Sequence, residues 1–146
     1  MSVYHHASAV MIGGHGVLIR GESGSGKSSL ADVLIDQARL RGLDAALVGD
    51  DRVAFKVERG HLVASGHPQI AGKLERRGAG IFDVPFVSDV IVRLVIDLQS
   101  ENPERLPSPE SRETQIESVS VPRLVLKSPV NYMRVLPIIM ASLPQL

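Results

Sequence analysis

The stretch of sequence that decides the fold is residues 17–28, which read VLIRGESGSGKS. Three apolar residues and an arginine lead directly into a glycine-rich run that ends in Lys-Ser. This run, residues 21–28, matches the spacing G-x-x-x-x-G-K-[ST] in full. The backbone amides of such a loop and of the helix that follows converge on one point, where they bind phosphate. The sequence therefore predicts a nucleotide phosphate site at residues 21–28.

The segments on both sides of this loop predict an α/β domain. Residues 7–12 and 17–20 are short β-compatible runs separated by glycines, which is typical of a hairpin. After the loop, apolar residues recur at helical spacing as far as Gly42, so we expect a helix to begin near Ser28. Further strands are predicted at residues 45–48, 53–57, 90–98 and 121–126. The order strand, phosphate loop, helix, strand is that of an α/β P-loop domain.

Two later segments give weaker signals. Residues 100–112 are polar and contain three prolines, which predicts a mobile loop. Residues 135–143 are apolar enough for a closing helix or a strand. Because Pro137 lies inside this segment, the sequence leaves that choice open.

Length and composition exclude several classes of protein. A chain of 146 residues is the size of one domain, so we expect residues 1–146 to form a single domain. Its 16 Lys and Arg balance its 16 Asp and Glu, which leaves no overall field for nucleic acid or anionic lipid. The absence of cysteine excludes disulfides and thiolate metal sites. With no leader-like or membrane-spanning stretch, we expect a cytoplasmic protein without nucleic acid or membrane partners.

Two adjacent acids follow the predicted strand at 45–48. Asp50 and Asp51 lie about one helix downstream of the phosphate loop, at the end of the strand where α/β sheets place ligand chemistry. Neighbouring residues of an extended segment point to opposite sides. One carboxylate can therefore face a metal ion and the other an incoming nucleophile. The sequence leaves open which acid does which.

Residues 74–83, LERRGAGIFD, alternate charges and glycines in a pattern typical of neither a core nor an ordinary loop. Glu75 can complete a Mg²⁺ shell with Ser28, and an arginine can neutralise a phosphoryl group in transfer. The five histidines are not arranged at metal-site spacing. Spacing alone therefore selects none of them as catalytic.

Together these segments resemble the catalytic domain of the HPr kinase/phosphorylase family, bacterial enzymes that phosphorylate a serine of HPr, the phosphocarrier protein of the phosphotransferase system. The resemblance rests on HASAV at 6–10, GESGSGKS at 21–28, GDDRV at 49–53 and LERRGAGIFDV at 74–84. The last segment is similar to the family signature Leu-Glu-x-Arg-Gly-x-Gly. The resemblance implies the HPr kinase and phosphoenolpyruvate carboxykinase-like fold, with ATP and Mg²⁺ as cofactors and HPr as partner.

The resemblance also implies roles for individual residues. The ATP-binding loop is Gly21, Glu22, Ser23, Gly24, Ser25, Gly26, Lys27 and Ser28. Of these, Lys27 matches the catalytic lysine, and Ser28 with Glu75 matches the Mg²⁺ ligands. The remaining catalytic positions are Asp51 as proton acceptor, Asp50 as its partner, His6 as the residue that orients the acid, Arg77 of the signature, and Arg105.

Some features depart from the family pattern. This sequence resembles the family from its first residues at the kinase domain, whereas family members usually carry an N-terminal regulatory domain. Residues 126–131, LKSPVN, do not keep the family pattern Pro-x-x-x-Gly-Arg-Asn tied to dephosphorylation, so we expect at most weak reverse phosphorolysis. Family analogy implies a hexamer. The alternatives are a P-loop kinase for a small molecule and a non-catalytic ATP-binding sensor.

Overall fold

The computed structural model describes residues 2–145 and contains ten strands and two α-helices. The first half holds β1 (Ala7–Ile12), β2 (His15–Arg20), α1 (Lys27–Leu40), β3 (Ala45–Gly49), β4 (Val53–Glu58) and β5 (His61–Gly66). The second half holds β6 (Lys73–Arg76), β7 (Gly80–Asp83), β8 (Asp89–Gln99), β9 (Glu113–Ile116), β10 (Val119–Lys127) and α2 (Tyr132–Ser142).

One mixed sheet of eight strands organises the chain. Its main path runs β3-β1-β2-β8-β10-β9, and the β4–β5 hairpin joins it through β5 and β8. Strand β1 is antiparallel to both β2 and β3, whereas β2 and β10 are each parallel to β8. The C-terminal ends of β2, β3, β8 and β10 and the N-terminal end of β1 therefore lie at the same edge of the sheet.

Both faces of this sheet are buried because its strands alternate between two apolar clusters. Val10, Ile12, Val17 and Ile19 face α1 and α2, and they pack there with residues such as Leu34. The alternate positions of the same strands face the other way, toward the β4–β5 hairpin. That second cluster contains Ala9, Met11, Leu18, Val53 and Leu62. The sheet thus lies between a helical layer and a β-hairpin layer.

The structure confirms most of the predicted elements. The hairpin, the helix after the phosphate loop and the strands at 45–48, 53–57, 90–98 and 121–126 are all present. The open choice at 135–143 resolves as helix, within α2, and Pro137 lies on its exposed side. The loop at 100–112 is confirmed except for a 3₁₀ turn at its end.

Four strands were not predicted from the sequence. They are β5, β6, β7 and β9. Strands β6 and β7 form a separate two-stranded hairpin, and this hairpin accounts for the unexplained segment at 74–83. Within the described residues, no helix is long and apolar enough to cross a membrane.

Candidate active site

The loop between β2 and α1 turns sharply and leaves the first turn of the helix open. Gly24 and Gly26 have φ values of 82° and 100°, a left-handed conformation that side chains with a Cβ rarely adopt. Gly26 is also the N-cap of α1, and no side chain caps the helix or places a carboxylate in its first turn. The amides of this turn and the positive end of the helix dipole are therefore available to an anion.

Lys27 lies beneath this loop and is only 7% exposed. Its ammonium donates hydrogen bonds to the carbonyl oxygens of Gly21 and Glu22, at 2.9 and 3.1 Å. An ammonium has three donors, so these two bonds hold the loop in shape and leave one donor for a phosphate oxygen.

Asp50 is the centre of a hydrogen-bond cluster at the end of β3. Its Oδ1 accepts the hydroxyl protons of Ser28 at 2.6 Å and Ser8 at 2.9 Å. Its Oδ2 accepts the backbone N–H of Glu75 at 3.1 Å. Because the Ser28 proton is directed at Asp50, the lone pairs of the Ser28 oxygen are left for a cation. Asp50 therefore orients the other groups of the site.

Asp51 has a different environment, although it is the next residue. Its φ of 61° is left-handed, a conformation that aspartate tolerates better than most residues. Its backbone N–H donates to the Ser8 hydroxyl at 3.2 Å, while its side chain is 57% exposed. Its Oδ1 lies 3.5 Å from Nδ1 of His6, a side chain that is itself 87% exposed. Of the two acids, Asp51 faces the open side.

The β6–β7 hairpin carries the next two groups to the same place. Strand alternation sends the side chain of Leu74 into the core, where it is fully buried, and leaves Glu75 on the opposite side. Glu75 and, in the turn, Arg77 line the pocket above the phosphate loop. Sequence reasoning placed both residues in the site without predicting the hairpin that presents them.

Arg76 fixes this hairpin to α1 and was missed from the sequence. Its Nε and Nη2 donate to the two carboxylate oxygens of Asp32, at 2.9 and 3.1 Å. Its guanidinium also lies over the ring of Phe82, 4.6 Å from the centroid. The hydrogen bond that Arg76 donates to Asp32 raises the pKa of Arg76 above its ordinary value. Asp32 lies 44 residues before Arg76 in the sequence, so no local pattern predicts this pair. The only signal for Arg76 is the alternation of charges and glycines in the segment that begins at residue 74.

A half-buried network under the loop supports β2. Arg20, the last residue of that strand, donates to Asp97 at 2.7 and 2.8 Å, and Arg123 donates to the same carboxylate. Burial alone would raise the pKa of Asp97, but the hydrogen bonds from Arg20 and Arg123 outweigh it and hold this pKa below its usual value. The network ties together β2, β8 and β10 next to the phosphate loop.

These groups surround an open cavity of about 280 Å³. One wall is the loop and the first turn of α1, with Ser23, Lys27 and Ser28; the other is Asp51, Glu75 and Arg77. The Ser25 carbonyl does not line it but accepts the hydroxyl proton of Ser128 at 2.7 Å. The structure thus brings together most of the residues predicted for the site.

Six predicted residues do not line this cavity. Four of them belong to the phosphate loop or to the hydrogen-bond cluster behind it, namely Gly21, Glu22, Ser25 and Asp50. The other two lie elsewhere. His6 borders it only through Asp51, and its own side chain lines a neighbouring cavity with Phe55 and Arg20. Arg105 lines a larger cavity of about 1000 Å³ between the 100–112 loop, β10 and α2. Within a single chain, Arg105 and the phosphate cavity are therefore separate.

The cavity offers oxygen donors of the kind that Mg²⁺ takes from proteins. No cluster of three or more metal-ligating His, Asp or Glu occurs in residues 2–145. The cavity does offer the Ser28 hydroxyl and the carboxylates of Glu75 and Asp51, which are hard oxygen donors. Mg²⁺ usually keeps several waters and takes few protein ligands together with substrate phosphates. These residues fit a cation that arrives with a nucleotide, and when bound it would neutralise phosphate charge.

The loop, the buried lysine and the Asp50–Ser28 pair define a P-loop nucleotide-binding domain. Residues 1–143 match the family model described as HPr Serine kinase C-terminal domain. The chain belongs to this family, which confirms the resemblance and the fold class predicted from its sequence.

Known proteins show the same relationship. The chain is 32% identical over 143 residues to the HPr kinase/phosphorylase of Mycoplasma mycoides, covering 86% of this chain and 44% of that protein. It is 34% identical over 146 residues to that of Lacticaseibacillus casei, covering 92% and 43%. The solved Hpr(Ser) kinase/phosphatase from Coxiella burnetii superposes with a TM-score of 0.73 at 31% identity, covering 95% of this chain and 93% of that one. The chain thus spans less than half the length of these two curated relatives.

Proposed function

We propose that this chain is an ATP-dependent protein kinase that phosphorylates a serine of the phosphocarrier protein HPr. The observation that carries the proposal is that a buried lysine and an exposed aspartate, Lys27 and Asp51, line the same cavity. A buried lysine with two backbone partners and one free donor lies on the phosphate side, and an exposed aspartate lies on the open side. Membership of the HPr Serine kinase family and the names of the relatives support the same substrate.

In this proposal the phosphates of ATP lie against the loop at residues 21–28, with Lys27 on their oxygens. Ser28 and Glu75 hold Mg²⁺. Asp51 accepts the proton of the serine hydroxyl. The serine oxygen then bonds to the γ-phosphorus of ATP, while the bond between that phosphorus and the ADP oxygen breaks. Arg77 stabilises the phosphoryl group in transfer, and His6 orients Asp51.

Five finer features remain part of the proposal. Arg105 stays a predicted catalytic residue, although in one chain it lines a separate cavity. Reverse phosphorolysis is expected to be weak, because residues 126–131 lack the family pattern for it. We also propose that residues 1–146 act as one catalytic domain in the cytoplasm, assembled into a hexamer as family analogy implies.

The open side of the cavity favours a protein over a small molecule as phosphoryl acceptor. A small-molecule kinase encloses its acceptor in a concave pocket, which excludes water from the reaction. Here Asp51 and His6 are both largely exposed, so part of the acceptor site must come from the partner's own surface.

The test is phosphate transfer from labelled ATP, with Mg²⁺ and purified HPr. We expect label on HPr, and none on HPr whose regulatory serine is replaced by alanine. Label on small hydroxyl metabolites instead of HPr would establish the small-molecule alternative. Tight ATP binding without transfer to any acceptor would indicate a nucleotide sensor.

A further inference from the structure

Ser8 is an unusual residue for the middle of a sheet. It lies in β1 between Ala7 and Ala9, and its accessible surface is zero. Among the described residues, only Ser8 and Lys27 are polar or charged and buried. Burying a hydroxyl is unfavourable unless its hydrogen bonds are satisfied. A buried serine at this position therefore indicates a specific partner.

Ser8 has two partners, and they are the two acids of the site. Its hydroxyl donates to Oδ1 of Asp50 at 2.9 Å and accepts the backbone N–H of Asp51 at 3.2 Å. The direction of both bonds is fixed, because an amide N–H can only donate and the ionised carboxylate can only accept. A single side chain therefore contacts both the acid that orients Ser28 and the backbone of the acid that faces the open side.

The second bond acts on a strained position. Asp51 has a φ of 61°, which is unfavourable for a residue with a Cβ, so the surroundings must hold it there. The bond to its N–H comes from Ser8, which lies in a central strand with apolar clusters on both sides. The Ser8 hydroxyl therefore holds the Asp51 backbone to a rigid strand of the sheet.

We propose that Ser8 is a positioning residue that fixes Asp51 at the correct distance from the phosphate side of the cavity. This inference rests on the proposed function in one respect, namely that Asp51 is the base. Ser8 itself is buried beneath both acids and touches no substrate. Its loss should therefore lower turnover and leave ATP binding intact, since the loop and Lys27 keep all their own bonds.

The first test compares Ser8→Ala, Ser8→Thr and Val10→Ala in the HPr transfer assay. Misplacing a reacting group by about 1 Å can cost about 10²-fold, so we expect kcat to fall by roughly 10- to 100-fold in Ser8→Ala. The KM for ATP should change less than about twofold. Ser8→Thr keeps the hydroxyl and should recover most of kcat. Val10→Ala weakens the same buried strand without touching either acid, so it should lower the melting temperature only.

Two results would overturn the inference. One is a Ser8→Ala enzyme with kcat close to that of the unmodified chain. The other is an equal loss of kcat in Val10→Ala, which would reduce Ser8 to an ordinary packing residue. A shift of the acidic limb of the pH–kcat profile in Ser8→Ala alone would support positioning, because a change in packing does not alter the base.

A second test needs no activity and separates this inference from the proposed function. Amide hydrogen exchange is measured by NMR on the unmodified chain and on Ser8→Ala. Losing a bond worth about 1 kcal/mol should speed exchange of the Asp51 amide by roughly fivefold, with α1 unchanged. If Asp51 exchange does not change, Ser8 does not hold it, whatever the outcome with HPr. If exchange changes and HPr is never labelled, only the proposed function fails.

Discussion

The two sides of the cavity are built differently. On the phosphate side, Lys27 is buried with two backbone partners, and Asp50 accepts three hydrogen bonds. On the acceptor side, Asp51 and His6 are largely exposed and touch each other only at 3.5 Å. The nucleotide half is therefore complete before any ligand binds, whereas the acceptor half leaves room for groups supplied by a partner. Preorganisation of this kind favours tight nucleotide binding and makes turnover depend on the acceptor.

We expect the largest effect from a substitution of Asp51, which should lower phosphate transfer without changing ATP affinity. Asp51→Asn keeps the size of the side chain but removes the proposed base, so transfer to HPr should fall by about 10² to 10⁴. ATP affinity, measured by calorimetry, should stay within about twofold, because no contact of the phosphate side changes. Transfer at nearly the original rate would exclude Asp51 as the base. The matched control is Asp83→Asn, an exposed carboxylate on β7 that pairs with Lys73.

Lys27→Ala tests the phosphate side. Removing one preorganised donor should lower kcat by about 10² to 10³. ATP affinity should fall at the same time, in contrast to Asp51→Asn, because the Gly21 and Glu22 carbonyls also lose their donor. Both quantities come from ATP titration and steady-state transfer. An unchanged binding curve would show that the loop does not hold the nucleotide phosphates.

Glu75→Ala tests the boundary between the halves. Its side chain lines the cavity, while its backbone N–H bonds to Asp50 and is unaffected by the substitution. We expect the Mg²⁺ concentration for half-maximal transfer to rise by roughly three- to tenfold, with little change in fold. The measurement is a Mg²⁺ titration at saturating ATP. Wild-type Mg²⁺ dependence would remove Glu75 from the metal ligands.

We expect the smallest effect on turnover from a substitution of Asp97, which joins β2, β8 and β10 through Arg20 and Arg123. Asp97→Asn leaves Arg20 and Arg123 without their carboxylate and should lower the free energy of unfolding by about 1–3 kcal/mol at neutral pH. Because the pKa of Asp97 is lowered in the folded state, its stabilisation is present above the ordinary carboxyl pKa of about 4 and is lost as the pH falls further. Urea unfolding at pH 7 and pH 3 should show this difference shrinking in acid. A constant difference would mean that the charge of Asp97 is not what stabilises the network.

The sequence predicts best where local pattern and burial coincide. The hairpin at 7–20, the phosphate loop and α1 follow from alternation, glycines and helical spacing within short windows. Strands β7 and β9 escape prediction because each is only four residues long and neither contains a buried residue: β7 is exposed throughout, and β9 is half-buried only at Thr114 and Ile116. The hairpin at 73–83 is visible only through the single buried residue Leu74.

The sequence could not predict, for a different reason, that Asp50 accepts the hydrogen bonds of the site while Asp51 faces the open side. It depends on a left-handed backbone at Asp51 and on a hydroxyl 43 residues earlier in the chain. Pairings of such long range follow from the strand order β3-β1-β2, which a single sequence does not reveal. The same holds for the Arg76–Asp32 pair.

The burial of β1 on both faces also secures the chemistry. A slip of this strand by one residue would put Ala7 or Ala9 in the place of Ser8 and turn Val10 and Ile12 away from the helices. Such a slip would lose the apolar packing and the hydroxyl in one step. Chains with the wrong register should therefore be too unstable to persist as folded but inactive protein. The free energy of core packing thus selects the same register that places Ser8 beside Asp50 and Asp51.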